Sequence, residues 1–268
     1  MASQSFVEQR HGLSVGSVFG RSVNVIKANP LATLGVTYVL IALPQLLIGQ
    51  VGGWALPNRS LTGGGYAAFG LYGLVVAILW LVASGALVQA TVAHDQGRPA
   101  DLREMLQVGA QRALPLFAVY LLFALGVWIG SIFLLVPGIL LAVMWAVCLP
   151  AVVAERTGVF GAFGRSRALT KGARWPVFGI MLLAFVIYML VLIAVGLASV
   201  AGYGTFGAFT RGGHISAPMP PSLAVALLRS IVTTVVLTWF TIVGASLFVE
   251  LRNWKDGPDA DRLADIFA

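Results

Sequence analysis

The chain alternates between long apolar runs and short polar connectors. Runs almost free of charge occupy positions of about 31–53, 66–93, 113–136, 138–154, 176–203 and 223–249. A helix needs roughly 20 apolar residues to cross the hydrocarbon of a bilayer, so each run predicts one membrane-spanning helix. Only Val136, Pro137 and Gly138 separate the third run from the fourth. The Pro-Gly pair suits a tight turn and interrupts what would otherwise be an overlong helix, which predicts a helical hairpin. Between the runs, segments at about 13–28, 100–112, 158–171 and 259–267 repeat apolar residues at helical spacing, as Val15, Val18, Phe19 and Ile26 do in the first and Leu263, Ile266 and Phe267 in the last. Short helices of this kind lie in the headgroup plane. The expected fold is therefore an all-α integral membrane protein, one domain over residues 1–268. Its six transmembrane helices are expected to form three hairpins, each preceded by a cytoplasmic amphipathic helix, with a fourth interfacial helix at the end.

Charge orients this plan. Six spans leave two alternating sets of connectors, the first including both termini, and of the seventeen Lys and Arg residues only Arg59, Arg211 and Arg229 fall in the second set or beside it. The rest, including Arg21, Lys27, Arg165, Arg167, Lys171 and Arg174, fall in the first set. By the positive-inside rule that set and both termini are cytoplasmic. All ten carboxylates lie on the same side, so the outer face is nearly free of ionisable groups. The triplet Asn58, Arg59 and Ser60 on that face matches a glycosylation acceptor, a three-residue pattern of low specificity.

An internal repeat emerges when the segments before the first and fifth spans are laid together. Phe19, Gly20, Arg21, Ser22 and Lys27 match Phe163, Gly164, Arg165, Ser166 and Lys171 at identical spacing, and Pro30 or Pro176 then opens the apolar run. A looser copy before the third span has Leu102, Met105 and Leu106 on one face, with Pro115 following. The hairpin ends rhyme too: Val92, Ala93, His94 and Asp95 resemble Val153, Ala154, Glu155 and Arg156, and Val249 with Glu250 closes the last.

Composition agrees with a lipid environment, because a chain 59% hydrophobic and 10% charged cannot cover its surface with polar groups in water. The net charge of +7 does not imply nucleic acid, since the basic residues sit in short loops beside apolar runs, where anionic lipid is the natural counter-charge. The single cysteine, Cys148, lies within an apolar run, so no intrachain disulfide and no cysteine-based metal site is expected. The first 30 residues carry Glu8, Arg10, Arg21 and Lys27 and no apolar core with a cleavage site, so the first span is expected to serve as the insertion signal.

The stretch from Leu135, Val136, Pro137, Gly138 and Ile139, through Trp145, Pro150 and Glu155, to Arg165, Ser166, Leu169, Thr170, Lys171, Gly172 and Trp175 resembles the central signature of the YciC-like bacterial membrane proteins. These are related to membrane domains fused to some glycerophosphodiester phosphodiesterases. The resemblance covers about 134–178 closely and the six-span plan loosely. It implies a bacterial inner-membrane location; it carries over no catalytic residue, because the soluble phosphodiesterase domain is not in this chain.

Chemistry is sparse. His11, His94 and His214 are scattered over different loops, no His pair has metal-ligand spacing, and no phosphate-cradling glycine motif occurs, so neither catalysis nor a cofactor or metal is expected. His94 with Asp95 is the first pair an enzyme would use. No ionisable group lies at mid-membrane depth, which disfavours an ion-coupled transporter. A mildly polar stripe remains: Gln45 and Gln50 beside Pro44, Gln89, and Ser230, Thr234, Thr238 and Thr241. Such hydroxyls mark a helix-packing seam more often than a path. Gly49 with Gly53 and Gly126 with Gly130 permit close helix approach within the chain or a homo-oligomeric face, and Gly12, Gly16 and Gly20, like Gly158, Gly161 and Gly164, imply close backbone contact or a lipid-facing bend. The cluster Arg165, Arg167, Lys171 and Arg174 with Trp175, echoed by Arg21 and Lys27, is the expected place for anionic headgroups, the same residues also serving as a topology signal. The leading functional expectation is a non-catalytic inner-membrane protein that engages lipid headgroups or a membrane partner. The competing one is a transporter or flippase using the seam between hairpins, with Gln45, Gln89 and Thr238 bordering one cavity.

Overall fold

The computed structural model describes residues 13–48, 63–202 and 223–257. The predicted interfacial helix at 259–267 lies outside them, as do Gly12, Gly49, Gln50, Gly53, the Asn58 triplet, Arg211, His11 and His214. Among the described residues every regular element is a helix. In chain order these are α1 (Val15–Ala28), α2 (Pro30–Thr37, carried through a π turn at Tyr38–Ala42 to Ile48), α3 (Gly63–Asp95) and α4 (Leu102–Phe133). There follow α5 (Leu135–Met144), α6 (Cys148–Ala154), α7 (Val159–Thr170), α8 (Arg174–Gly202) and α9 (Leu223–Asp256). Six segments are long and apolar enough to cross a membrane, with α5 and α6 together making the fourth. Leu31, Leu114 and Leu228 stand exposed on the surface of the spans, an arrangement that hydrocarbon favours and water does not. The chain is a multi-pass helical membrane protein.

Local chemistry explains where the helices start, bend and break. Ser14 caps α1 by accepting the Ser17 N–H at 3.0 Å, and Asp101 caps α4 by accepting the Arg103 N–H. Gly97, at φ 68°, ends α3, with the Arg98 N–H returning 2.9 Å to the Ala93 carbonyl as in a Schellman motif. In α2 the π turn immediately precedes Leu43 and Pro44, whose missing N–H leaves a carbonyl four residues back without a donor.

Three arrangements differ from the sequence pattern. The segment at 100–112 is not a separate interfacial helix but the first turns of α4, which passes Pro115 without ending. The turn between the third and fourth spans falls at Leu134, in extended backbone, so Pro137 and Gly138 lie in the first turn of α5, where a missing N–H costs nothing. The fourth span is broken at Trp145–Val147: Pro150 cannot donate to Ala146, and the helix restarts at Cys148.

The break is repaired from α7. Ser166 Oγ donates to the Met144 carbonyl at 3.0 Å and accepts the Val147 N–H at 3.2 Å, and Thr170 Oγ1 reaches the same carbonyl at 3.3 Å. Backbone groups freed inside a membrane protein must find such partners. One face of α7, Ala162, Ser166, Leu169 and Thr170, is buried by this docking. The core it joins includes Val18 of α1, Leu116 of α4, Val147 and Val152 at the break, Ile180 of α8 and the fully buried Phe248 of α9.

Close packing sets the remaining distances. A Cβ at Gly85 would lie 2.9 Å from the Gly109 Cα, and one at Gly109 would strike the Val82 carbonyl and the Ala86 amide, so α3 and α4 meet backbone to backbone. Gly130 similarly faces Gly138 across the α4–α5 turn, and Gly126 faces the Trp145 ring. Gly126 and Gly130 therefore serve contacts within the chain. Gly109→Ala is expected to destabilise the protein by about 1–3 kcal/mol, through overpacking against backbone that cannot move aside. Gly16→Ala, which meets nothing within 4 Å, is expected to be neutral or to stabilise by up to about 1 kcal/mol. Thermal unfolding of both variants in detergent measures the contrast.

Candidate functional site

The repeated motif makes matching contacts in both places. Phe19 lies tilted against Trp239 with ring centroids 5.6 Å apart, and Phe163 meets Trp145 edge-on at 5.0 Å. Arg21 reaches Asp95 at the end of α3 and Glu250 in the last turns of α9. Arg165 makes a two-pronged pair with Glu155, at 2.7 and 2.8 Å, and also holds Asp256 at the end of α9. Arg252 of α9 adds a second cation to Asp95 at 3.3 Å. The serines differ: Ser22 only closes on its own helix, at the Phe19 carbonyl, whereas Ser166 repairs the broken span.

These ion pairs collect at one end of the bundle the segments that the charge pattern assigns to one side. Hydrogen bonding to Glu155 raises the pKa of Arg165 above its ordinary value; partial burial opposes that rise and Asp256 adds to it. The guanidiniums of Arg21 and Arg165 are thus committed to carboxylates of their own chain. Asp95 is likewise occupied, by two arginines, so the pair of His94 and Asp95 is not a free acid–base couple.

Among the described residues, Lys27, Arg103, Arg112, Arg156 and Arg229 make no ion pair, and neither do the cations of a corner between α7 and α8. On α7, Phe160, Gly164 and Arg167 follow at helical spacing along the exposed face, and Lys171 continues it at the helix end. Gly172, at φ 90°, turns the chain sharply into α8, which opens with Arg174 and Trp175. The Trp254 ring lies under the turn, 3.6 Å from where a Gly172 Cβ would stand, and Lys255 sits 4.7 Å over that ring. Arg167, Lys171 and Arg174 are exposed, and no carboxylate among the described residues pairs with them. Beside them Trp175 is 83% exposed and Phe160 81%. Cations interleaved with exposed aromatics at the end of a span are the pattern of a membrane–water interface. Lys27, at the end of α1 and the match of Lys171 in the repeat, is also exposed, whereas Arg21 is partly buried in its ion pairs.

The polar stripe does not converge. Gln45 is exposed on α2, and Gln89 donates to Glu104 at 2.8 Å near the start of α4. Thr238 donates to Thr37 at 2.8 Å, both hydroxyls being buried, so this pair joins α9 to α2. Thr234 and Thr241 donate to carbonyls of their own helix, at Ser230 and Leu237. A cavity of about 720 Å³ lies elsewhere, between α3, α4, α5, α6, α8 and α9, bordered by Thr241 but by none of Gln45, Gln89 and Thr238.

No family model, curated protein or solved structure matches this chain. The site therefore rests on its own geometry. Sequence reasoning located the basic cluster but did not divide it into paired and free members. The signal was present in the acidic hairpin ends Asp95, Glu155 and Glu250, which lie on the same predicted side as the repeated arginines. Replacing Asp95 by Ala leaves Arg21 and Arg252 without that carboxylate, and a loss of about 1–3 kcal/mol is expected. Arg98→Ala, which removes an exposed 3.8 Å pair with Glu104, is expected to change stability by no more than about 0.5 kcal/mol. Thermal melts of both variants, followed by tryptophan fluorescence, distinguish the two.

Proposed function

We propose that this protein is a non-catalytic membrane protein that binds anionic phospholipid headgroups at the corner formed by Arg167, Lys171, Arg174 and Trp175. The carrying observation is the division of the basic cluster: the repeated arginines are taken by carboxylates, while three cations beside two exposed aromatic rings have no counter-charge among the described residues. Phosphate supplies that counter-charge, and each Lys or Arg near an anionic surface contributes about 1 kcal/mol. The charge asymmetry of the connectors supports a cytoplasmic position for this corner and both termini. The resemblance of the stretch at about 134–178 to the YciC-like bacterial membrane proteins supports an inner-membrane setting for this reading. Its role is then that of a lipid-engaging scaffold in the envelope, acting alone, as a homo-oligomer or with a membrane partner. The dispersal of Gln45, Gln89 and Thr238 speaks against a polar transport path.

Native mass spectrometry of the protein titrated with phosphatidylglycerol or phosphatidylcholine tests this. Wild type is expected to retain phosphatidylglycerol selectively. Combined Arg167→Ala, Lys171→Ala and Arg174→Ala is expected to weaken that retention by about fivefold per charge removed, from about 1 kcal/mol each, while the melting temperature holds. Equal retention of both lipids by wild type, or unchanged retention in the triple variant, reduces the corner to a topology signal.

A further inference from the structure

The cavity of about 720 Å³ has a composition that selects its occupant. Its lining side chains are apolar apart from three hydroxyls and the Trp80 indole N–H, and each hydroxyl is already spent as a donor on its own helix. Ser84 donates to Trp80, Ser131 to Val127 and Thr241 to Leu237, at 2.8, 2.8 and 2.9 Å. A polar solute would have to shed its hydration here for, at most, one indole donor, that of Trp80. The space is real at its α9 wall, where a Cβ added to Gly244 would meet nothing within 4 Å. Rim residues such as Leu135, Leu182 and Phe185 are exposed on the lipid-facing surface, so the cavity communicates sideways with hydrocarbon. Its volume is that of a ligand site, within the range of about 300–1,000 Å³.

Position decides which apolar chain enters. Phe178, Met181, Leu182 and Phe185 form the α8 wall, and Arg174 and Trp175 stand one turn before Phe178 on the same helix. Residues four apart share a helix face, so Arg174 lies in line with Phe178 and Leu182, and Trp175 packs edge-on against the Phe178 ring at 6.3 Å. The cationic corner and the mouth of the cavity are therefore the two ends of one continuous stripe on α8. We infer that the cavity holds an acyl chain of the same anionic phospholipid whose phosphate sits at Arg174 and Lys171, a reading that rests on the headgroup proposal above. Charge holds the head and shape holds the tail, so the site binds one oriented lipid rather than a diffuse annulus. Seated between α5, α8 and α9, the chain fills the space where the fourth span would otherwise face a void.

The test is native mass spectrometry with long-chain dioleoyl-phosphatidylglycerol against the short-chain dihexanoyl form, on wild type, Gly244→Phe and the Arg167, Lys171, Arg174 triple alanine variant. Wild type is expected to prefer the long-chain lipid. Gly244→Phe fills the cavity and is expected to lower long-chain retention by about tenfold while leaving short-chain retention unchanged; the triple variant is expected to lose both. Ala142→Leu, from the opposite wall, gives the same reading if Gly244→Phe does not fold. In vesicles of phosphatidylglycerol carrying bromine-labelled acyl chains, Trp80 at the cavity wall is expected to be quenched, read as the difference between wild type and Trp80→Phe. If wild type selects phosphatidylglycerol but the cavity variants retain the long-chain form like wild type, or Trp80 is not quenched, the acyl-chain inference falls and the headgroup site stands. If wild type shows no preference for phosphatidylglycerol, both fall.

Discussion

Inside a bilayer a freed backbone group has no water to turn to, and in this chain that constraint bears hardest on the Met144 carbonyl and the Val147 amide. Pro150 breaks the fourth span, and the break can exist only because Ser166 and Thr170 come down onto it from α7. Once those hydroxyls are engaged, the rotation of α7 about its axis is settled: Ala162, Ser166 and Leu169 face the core, and Phe160, Gly164 and Arg167 face out. That one orientation turns Arg165 toward Glu155 and Asp256, and presents Lys171 at the corner with α8.

The ion pairs are a second layer built on the first. Arg21 ties α1 to the ends of α3 and α9, while Arg165 ties α7 to the ends of α6 and α9, so α9 is held twice at the same end of the bundle. The side chains involved keep between 12% and 30% exposure. The charges are thus partly solvated, and the cost of dehydrating them stays moderate. Carboxylates placed at the ends of the spans also neutralise cations that would otherwise repel one another, and among the described residues no acid pairs with Arg167, Lys171 or Arg174.

Much of this organisation is legible in the residues. Apolar runs of about 17 to 28 residues mark the spans, since crossing hydrocarbon is a requirement of length and composition rather than of detailed packing. The repeated Phe-Gly-Arg-Ser motif marks two equivalent places, because each copy must pack its ring against a tryptophan and satisfy its arginine. Less legible was Gly109, one glycine among thirty-one, whose need for close approach arises only from the neighbouring helix. The turn before the fourth span was misplaced by its own clearest signal: proline is as well suited to the first turn of a helix as to a loop, and Pro137 takes the former role.

Membrane class, span number and the sidedness of charge were determined by the sequence itself, since each depends on the sum of many residues transferred between water and lipid. Tertiary structure decided the rest: that Thr238 meets Thr37 rather than lining a path, that Arg165 is spent on carboxylates while Lys171 and Arg174 remain free, and that a cavity opens beside Gly244. These outcomes hang on distances of a few ångströms between residues far apart in the chain. Hydrogen bonds and close packing act only at that range, so the same residues acquire different roles from the partners the fold brings to them.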